Sequence, residues 1–261
     1  MKSKSTKRFT SIFLFTVVFT SFTVSAQEPD SIIHETKTQE SDSTIHIHET
    51  KTTVRLQSLP ANKNYLSSRS LIVPTAFISY GFASLHSNPL RNLNKHICEE
   101  VMEDMPGFAT RADDYLKYAP VVSVYVLSAI GVKGRHQLLG RTVILAMSSI
   151  LSAQLVTGLK HSTHQLRPDA TTYNSFPSGH TTTAFIGAEM MHQEFGFRSP
   201  WYSIAGYSMA TGTALLRIMN NRHWLSDVIA GAGIGMLSTK FCYWIFSKLE
   251  KKNNMPAKTA Y

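Results

Sequence analysis

The sequence predicts an all-α fold, a bundle of helices. Three observations carry it. Apolar residues concentrate in six segments, near 71–85, 119–132, 140–159, 180–195, 200–217 and 224–247; each segment is long enough for several helical turns; and no stretch sustains the period-two alternation of a half-buried strand. At 261 residues the chain has room for one sizeable domain with a buried core, plus extensions.

Taken in order, residues 1–26 have the pattern of a secretory signal peptide. Lys2, Lys4, Lys7 and Arg8 precede an apolar run from Ile12 to Phe22, and Val24-Ser25-Ala26 supplies small residues for cleavage before Gln27. The alternative is an uncleaved anchor. The whole chain carries a formal charge of +9, and loss of these four cations leaves 9 − 4 = +5. That excess suits an anionic substrate or a membrane surface. A nucleic-acid partner is not expected, because no basic stripe is interleaved with aromatic residues.

Residues 27–63 are Thr, Ser, Glu, Lys and His with few large apolar groups, and His-Glu-Thr-Lys-Thr occurs at 34–38 and again at 48–52. This composition predicts a disordered polar tether. His34, His46 and His48 lack a fold to fix them, so no metal site is assigned there. Residues 64–118 are expected to form short interfacial helices after the apolar segment at 71–85, with Glu99, Glu100, Glu103, Asp104, Asp113 and Asp114 facing an interface or solvent. A helical core follows over 119–247, and a basic tail over 248–261. Cys98 and Cys242 are the only cysteines, too few for a disulfide framework.

A membrane span needs about 20 apolar residues. Thr142–Leu159 is the best candidate, and Trp224–Phe246 is long enough if Lys240 snorkels to an interface. Lys133, Arg135 and Arg141 between the second and third segments, and Lys248, Lys251, Lys252 and Lys258 after the last, favour the cytoplasmic side. The opposite segment ends then face the periplasm. With an exported N-terminus, one segment must fail to cross; the short stretch 71–85, with Pro74 and Gly81, is expected to lie in the interface, to re-enter, or to pack on the bundle.

Three clusters carry the chemistry: Lys160 with Arg167-Pro168; Pro177-Ser178-Gly179-His180; and Arg217 with His223 and Asp227. Phosphoryl transfer needs fixed positive charge for the oxygens and a proton for the leaving group. Lys160, Arg167 and Arg217 meet the first need, Arg167 and Arg217 as bidentate forks, while Ser178 and Gly179 at a helix start add N–H donors. His223 and Asp227, four apart, are expected to share a helical face, so that the carboxylate holds one ring nitrogen and aims the other. A zinc set built from His161, His164, His180, His223 and Asp227 lacks a recognised ligand spacing, and three cations would repel a divalent ion; neither metal nor cofactor is expected.

At ten positions the order Lys-x6-Arg-Pro, Pro-Ser-Gly-His and Arg-x5-His-x3-Asp resembles the type 2 phosphatidic acid phosphatase superfamily, over about residues 119–247. The resemblance implies a membrane-embedded all-α bundle, His223 as the nucleophile that forms a phosphohistidine, Asp227 as its orienting partner and His180 as the acid that protonates the leaving oxygen. Lys160, Arg167, Ser178, Gly179 and Arg217 would hold the phosphate. Two departures stand out: Leu216 replaces the Ser that commonly precedes the Arg, and only residues 169–176 separate the first two motifs, leaving little room for a lid.

The implied partner is a phosphorylated lipid in a bacterial inner membrane, of the lipid A, undecaprenyl pyrophosphate or phosphatidic acid type. Other possibilities are a soluble periplasmic acid phosphatase, a vanadate-dependent haloperoxidase, and a non-catalytic protein that binds anionic lipid. Oligomeric state is left open by the sequence.

Overall fold

The computed structural model describes residues 65–253. The expected signal segment, the tether and the end of the basic tail lie outside these residues. Eight helices and no strand occur among the described residues: α1 (Ser68–His86), α2 (Asn88–Asp104), α3 (Ala112–Leu116), α4 (Ala119–Ala129), α5 (Leu138–Thr163), α6 (Gly179–Phe195), α7 (Pro200–Met219) and α8 (Leu225–Asn253). The all-α expectation holds, and all six apolar segments are helical. In the stretch expected to hold short helices, α2 instead runs for 17 residues.

Helix α6 is the hub, packed by α4, α5, α7 and α8. Thirteen of its seventeen residues are buried, among them Phe185, Met190 and Phe195. Its start is fixed locally: Ser178 is the N-cap, and its hydroxyl accepts from the Thr181 amide at 3.4 Å. The backbone of α8 comes very close here. A β-carbon on Gly231 would lie 2.6 Å from the Ser178 carbonyl oxygen, and one on Gly235 would lie 2.5 Å from that of Thr182. Glycine at both positions therefore lets α8 lie directly against the first two turns of α6.

Helix α1 runs antiparallel to α8. Tyr65 just before α1 stacks on Tyr243 with ring centroids 5.3 Å apart; Pro74 and Ile78 meet Gly233, and Gly81 meets Ala230. Beyond α1, Asn94 donates to Ser226 Oγ at 2.8 Å. Of the three expectations for 71–85, packing on the bundle is what is seen. The helix accompanies α8 for about five turns. Helix α1 packs on α8, and α3 packs on α7.

The interior away from the α6 start is unusually polar. Glu189 is fully buried and takes Lys240 Nζ and the Tyr207 hydroxyl, each at 2.6 Å. Five residues further along α6, buried Glu194 takes the His136 ring at 2.7 Å, Arg141 Nε at 3.0 Å and the Tyr243 hydroxyl at 2.8 Å. Lys240 therefore does not snorkel; a buried carboxylate on the facing helix holds it inside. The outer surface is the reverse. Val122 and Val126 are exposed on α4 with Ile130 at its C-cap, and Leu139, Val143 and Ile150 are exposed on α5. Two described helices are long and apolar enough to cross a membrane, within Leu138–Thr163 and Leu225–Glu250.

Candidate active site

The three sequence clusters meet at one end of the bundle because each lies at a helix end. Lys160 is in the last turn of α5, Ser178 caps α6 with Gly179 and His180 following it, Arg217 is in the last turn of α7, and Asp227 is in the first turn of α8. Arg167 lies on the loop joining α5 to α6. That loop begins at His164, which ends α5 in the left-handed region with φ 46°. It is pinned back by the Lys160 ammonium, which donates to the Asn174 carbonyl and, at 3.4 Å, to that of Ser175. The Trp224 indole N–H also donates to the Leu166 carbonyl at 2.8 Å.

Asp227 ties two clusters together through backbone and side chain. Its carbonyl accepts from the Ser178 amide at 3.0 Å. Its Oδ2 accepts from the Trp224 amide at 3.0 Å and from the Ser175 hydroxyl. An acid in the first turn of a helix is also favoured by the exposed amides there. His223 Nδ1 stands 3.5 Å from the same oxygen. The expectation of a shared helical face is corrected, since α8 begins at Leu225 and His223 lies in the turn before it. Four-residue spacing still pairs the two groups, because the turn folds the ring over the helix start.

Electrostatics follow from burial and crowding. His223 is buried, and its pKa is lowered to about 4; desolvation is the main cause, opposed by Asp227 and reinforced by Arg217 and Lys160. Arg167 is also shifted down, by desolvation first and then by the charge of Arg217. Both arginines keep a buried Nε–H that no group among the described residues accepts. In a protein interior such donors are normally satisfied. Arg217 and Lys160 both act on the neutral imidazole and Arg217 acts on Arg167, so the cluster is able to take an anion with several oxygens.

Two side chains that the motifs do not contain complete the geometry. Asp113, on α3, lies 2.5 Å from Arg217 Nη1. Asp114, its neighbour, is 2.7 Å from His180 Nε2, and the hydrogen bond from His180 holds its carboxyl below the usual range. Lys117 Nζ is 3.2 Å from the same imidazole nitrogen. Both acids were visible as charges, but nothing local in the sequence links them to Arg217 or His180. A buried arginine requires a counter-charge, and that requirement is the one signal that points to an acid at all.

Asp113, Asp114 and His180 bring one ligand atom each within 4.8 Å of one another, the arrangement of a possible metal site. Their existing partners argue against that use. Arg217 occupies one carboxylate, and Lys117 approaches both the imidazole and, at 4.0 Å, Asp114.

Residues 141–251 match the PAP2 superfamily. A lipid A 1-phosphatase of Porphyromonas gingivalis is 41% identical over 155 residues, which is 59% of this chain and 35% of that protein. A lipid A 1-phosphatase of Rhizobium johnstonii is 32% identical over 108 residues, 35% of this chain and 42% of that protein. The chain thus spans less than half the length of these curated relatives. Among solved structures, a transmembrane PAP2-type phosphatidylglycerolphosphate phosphatase from Bacillus subtilis aligns with a TM-score of 0.47 at 16% identity, over 70% of this chain and 98% of that one. LpxE from Aquifex aeolicus aligns with a TM-score of 0.38 at 21% identity, over 65% and 93%.

Proposed function

From the premise that residues 141–251 form a PAP2 superfamily domain, we propose that the chain hydrolyses a phosphate monoester or pyrophosphate on a membrane lipid through a phosphohistidine. The observation that carries this reading is the pair of unspent buried donors, Arg167 Nε and Arg217 Nε, beside a neutral buried His223. With Lys160 and the Ser178–Gly179 helix start they supply the charge and N–H groups that phosphoryl oxygens need.

His223 Nε2 attacks phosphorus while the bond to the leaving oxygen breaks, and His180 gives that oxygen its proton. Asp227 faces Nδ1 and stabilises the charge the ring acquires. In the second step His180 takes a proton from water, the water oxygen bonds to phosphorus, and the P–N bond breaks. The products are the lipid alcohol, or lipid monophosphate, and inorganic phosphate. No metal enters this scheme, because three cations of the chain already do the electrostatic work. The test is acid-quench trapping of phosphoenzyme from a radiolabelled substrate. His223→Ala should abolish both label and turnover; hydrolysis by that variant would refute the assignment, and binding without turnover by the unmodified chain would favour the anionic-lipid binding protein.

A lipid substrate is supported by the names of the relatives and by the distribution of polarity. Aliphatic side chains face outward on α4 and α5, while Glu189–Lys240 and Glu194–Arg141 are held inside. That is the pattern of helices in lipid rather than in water. It favours a membrane enzyme over a soluble periplasmic acid phosphatase, and extraction distinguishes them: activity should resist alkaline carbonate and require detergent. Lipid A, undecaprenyl pyrophosphate and phosphatidic acid types all fit this much. Lys133 and Arg135 lie at the end of the bundle opposite the site, which supports an inner-membrane location with the site toward the periplasm.

A further inference from the structure

We infer that Asp114 is a positioning residue for His180: its carboxylate holds the Nε2–H, so the proton passed to the leaving oxygen comes from Nδ1. This rests on the phosphatase reading and deepens it. Asp114 Oδ1 lies 2.7 Å from His180 Nε2, and no group among the described residues bonds Nδ1. An ionised carboxylate only accepts, so this contact requires a proton on Nε2.

Local geometry explains how one short helix reaches two reacting groups. Successive residues of a helix point about 100° apart, and in α3 Asp113 turns to Arg217 Nη1 while Asp114 turns to the start of α6. Lys117 follows three residues later on the same side, which brings its ammonium 3.2 Å from the same imidazole nitrogen and 4.0 Å from Asp114 Oδ1. The chain entering α3 is anchored to the end of α7. The Thr110 amide donates to Asn220 Oδ1, and the Asn220 side-chain amide donates to the Thr110 carbonyl, both at 2.9 Å. Asp114 is half-exposed, yet the backbone that carries it is fixed on both sides of the ring it meets.

The charges around the ring give Asp114 its task. His180 faces Asp113 and Asp114 on α3, Lys117 at the end of that helix and Arg217 on α7. Burial lowers the His180 pKa; the bond from Asp114 is the main opposing effect, Arg217 and Lys117 reinforce the lowering, and Asp113 opposes it last. Asp114 is thus the neighbour that does most to keep the ring charged before the first step. The protons then balance. As the bond to the leaving oxygen breaks, that oxygen takes the Nδ1 proton, and a neutral ring remains with its Nε2–H still on Asp114. In the second step the Nδ1 lone pair takes a proton from the attacking water, which restores the imidazolium. His180 also borders a cleft of about 290 Å³ with Lys117 and Gly179, so a leaving group seated there would lie beside the ring.

The experiment uses the full chain in detergent micelles with two substrates: phosphatidic acid, whose alkoxide leaves only with a proton, and p-nitrophenyl phosphate, whose phenolate needs none. Asp114→Asn should lower kcat on phosphatidic acid about tenfold or more and on p-nitrophenyl phosphate far less, and Asp114→Glu should restore part of the difference. The alkaline limb of kcat/KM on phosphatidic acid should move to lower pH in Asp114→Asn and to higher pH in Lys117→Met. One variant removes the charge that favours the imidazolium, and the other removes a charge that opposes it. Equal losses on the two substrates, or any other pattern of limb movement, overturns the role of Asp114 while leaving the phosphatase reading intact. Hydrolysis of neither substrate by the unmodified chain refutes the phosphatase reading instead. NMR decides the contact independently of turnover: with isotope-labelled histidine, and His180→Ala to identify the signal, neutral His180 should report the Nε2–H tautomer and Asp114→Asn should shift its titration to lower pH. An Nδ1–H tautomer in the unmodified chain, or an unshifted titration, also overturns the inference.

Discussion

The Asp113 carboxylate lies 2.5 Å from Nη1 of Arg217, joining helices that begin more than eighty residues apart in the chain. Both groups are buried, so each is the condition for the other's charge. Asp113 is thereby placed to act as a positioning residue: it holds Nη1 of the guanidinium and leaves Nε without a protein partner among the described residues.

Replacement Asp113→Asn should lower kcat/KM at least about tenfold, or ~1.4 kcal/mol of transition-state stabilisation. Asp113→Glu should recover part of it. Weaker inhibition by orthovanadate in Asp113→Asn, alongside an unchanged thermal midpoint in detergent, would separate lost positioning from lost folding.

If His223 is the nucleophile as proposed, the acid limb of kcat/KM for the unliganded protein should fall near pH 4, where the buried ring takes a proton and loses its lone pair. The ordinary imidazole value near 6.5 would place it higher. Stability should follow the same group. Between about 4 and 6.5 the unfolded chain binds the proton and the folded one does not, so stability rises with pH across that window and is lost as pH falls through it. His223→Asn should flatten that part of the unfolding-versus-pH curve.

Glu189 and Lys240 should be inseparable. Glu189→Gln alone, or Lys240→Met alone, strands a buried charge and should cost about 3–5 kcal/mol, read as a lowered unfolding midpoint in detergent. The double variant should regain most of the loss, since both charges leave together.

Gly231→Ala should damage catalysis more than folding. Its methyl would meet the Ser178 carbonyl at 2.6 Å and push the start of α6, with Gly179 and His180, away from α8. Turnover should drop while far-ultraviolet circular dichroism keeps its helical signal.

The six apolar helices and the three motif clusters could be located in the sequence because each depends on local pattern: helical runs of apolar side chains, a Ser cap after Pro177, and fixed spacings within a turn. What could not be located depends on contacts between helices. Lys240 resembles a snorkelling residue until Glu189 is placed opposite it, and Asp113 and Asp114 resemble solvated charges until α3 is packed on α7. His223 shows the same limit at short range, since a spacing of four is shared by a helical face and by a turn folded onto a helix start.

The antiparallel run of α1 beside α8 has a consequence for sidedness. Tyr65 sits at the level of Tyr243, and Asn94, beyond the far end of α1, bonds Ser226 next to Asp227. If α8 crosses the bilayer, α1 crosses with it, and the chain at residue 65 and the phosphate cluster occupy opposite compartments. An outward-facing site then requires entry into α1 from the cytoplasm, whereas an exported, cleaved N-terminus would turn the same site inward. One impermeant label on the 133–135 loop, at the Tyr243 end, thus reports by subtraction which compartment would receive phosphate released by the proposed reaction.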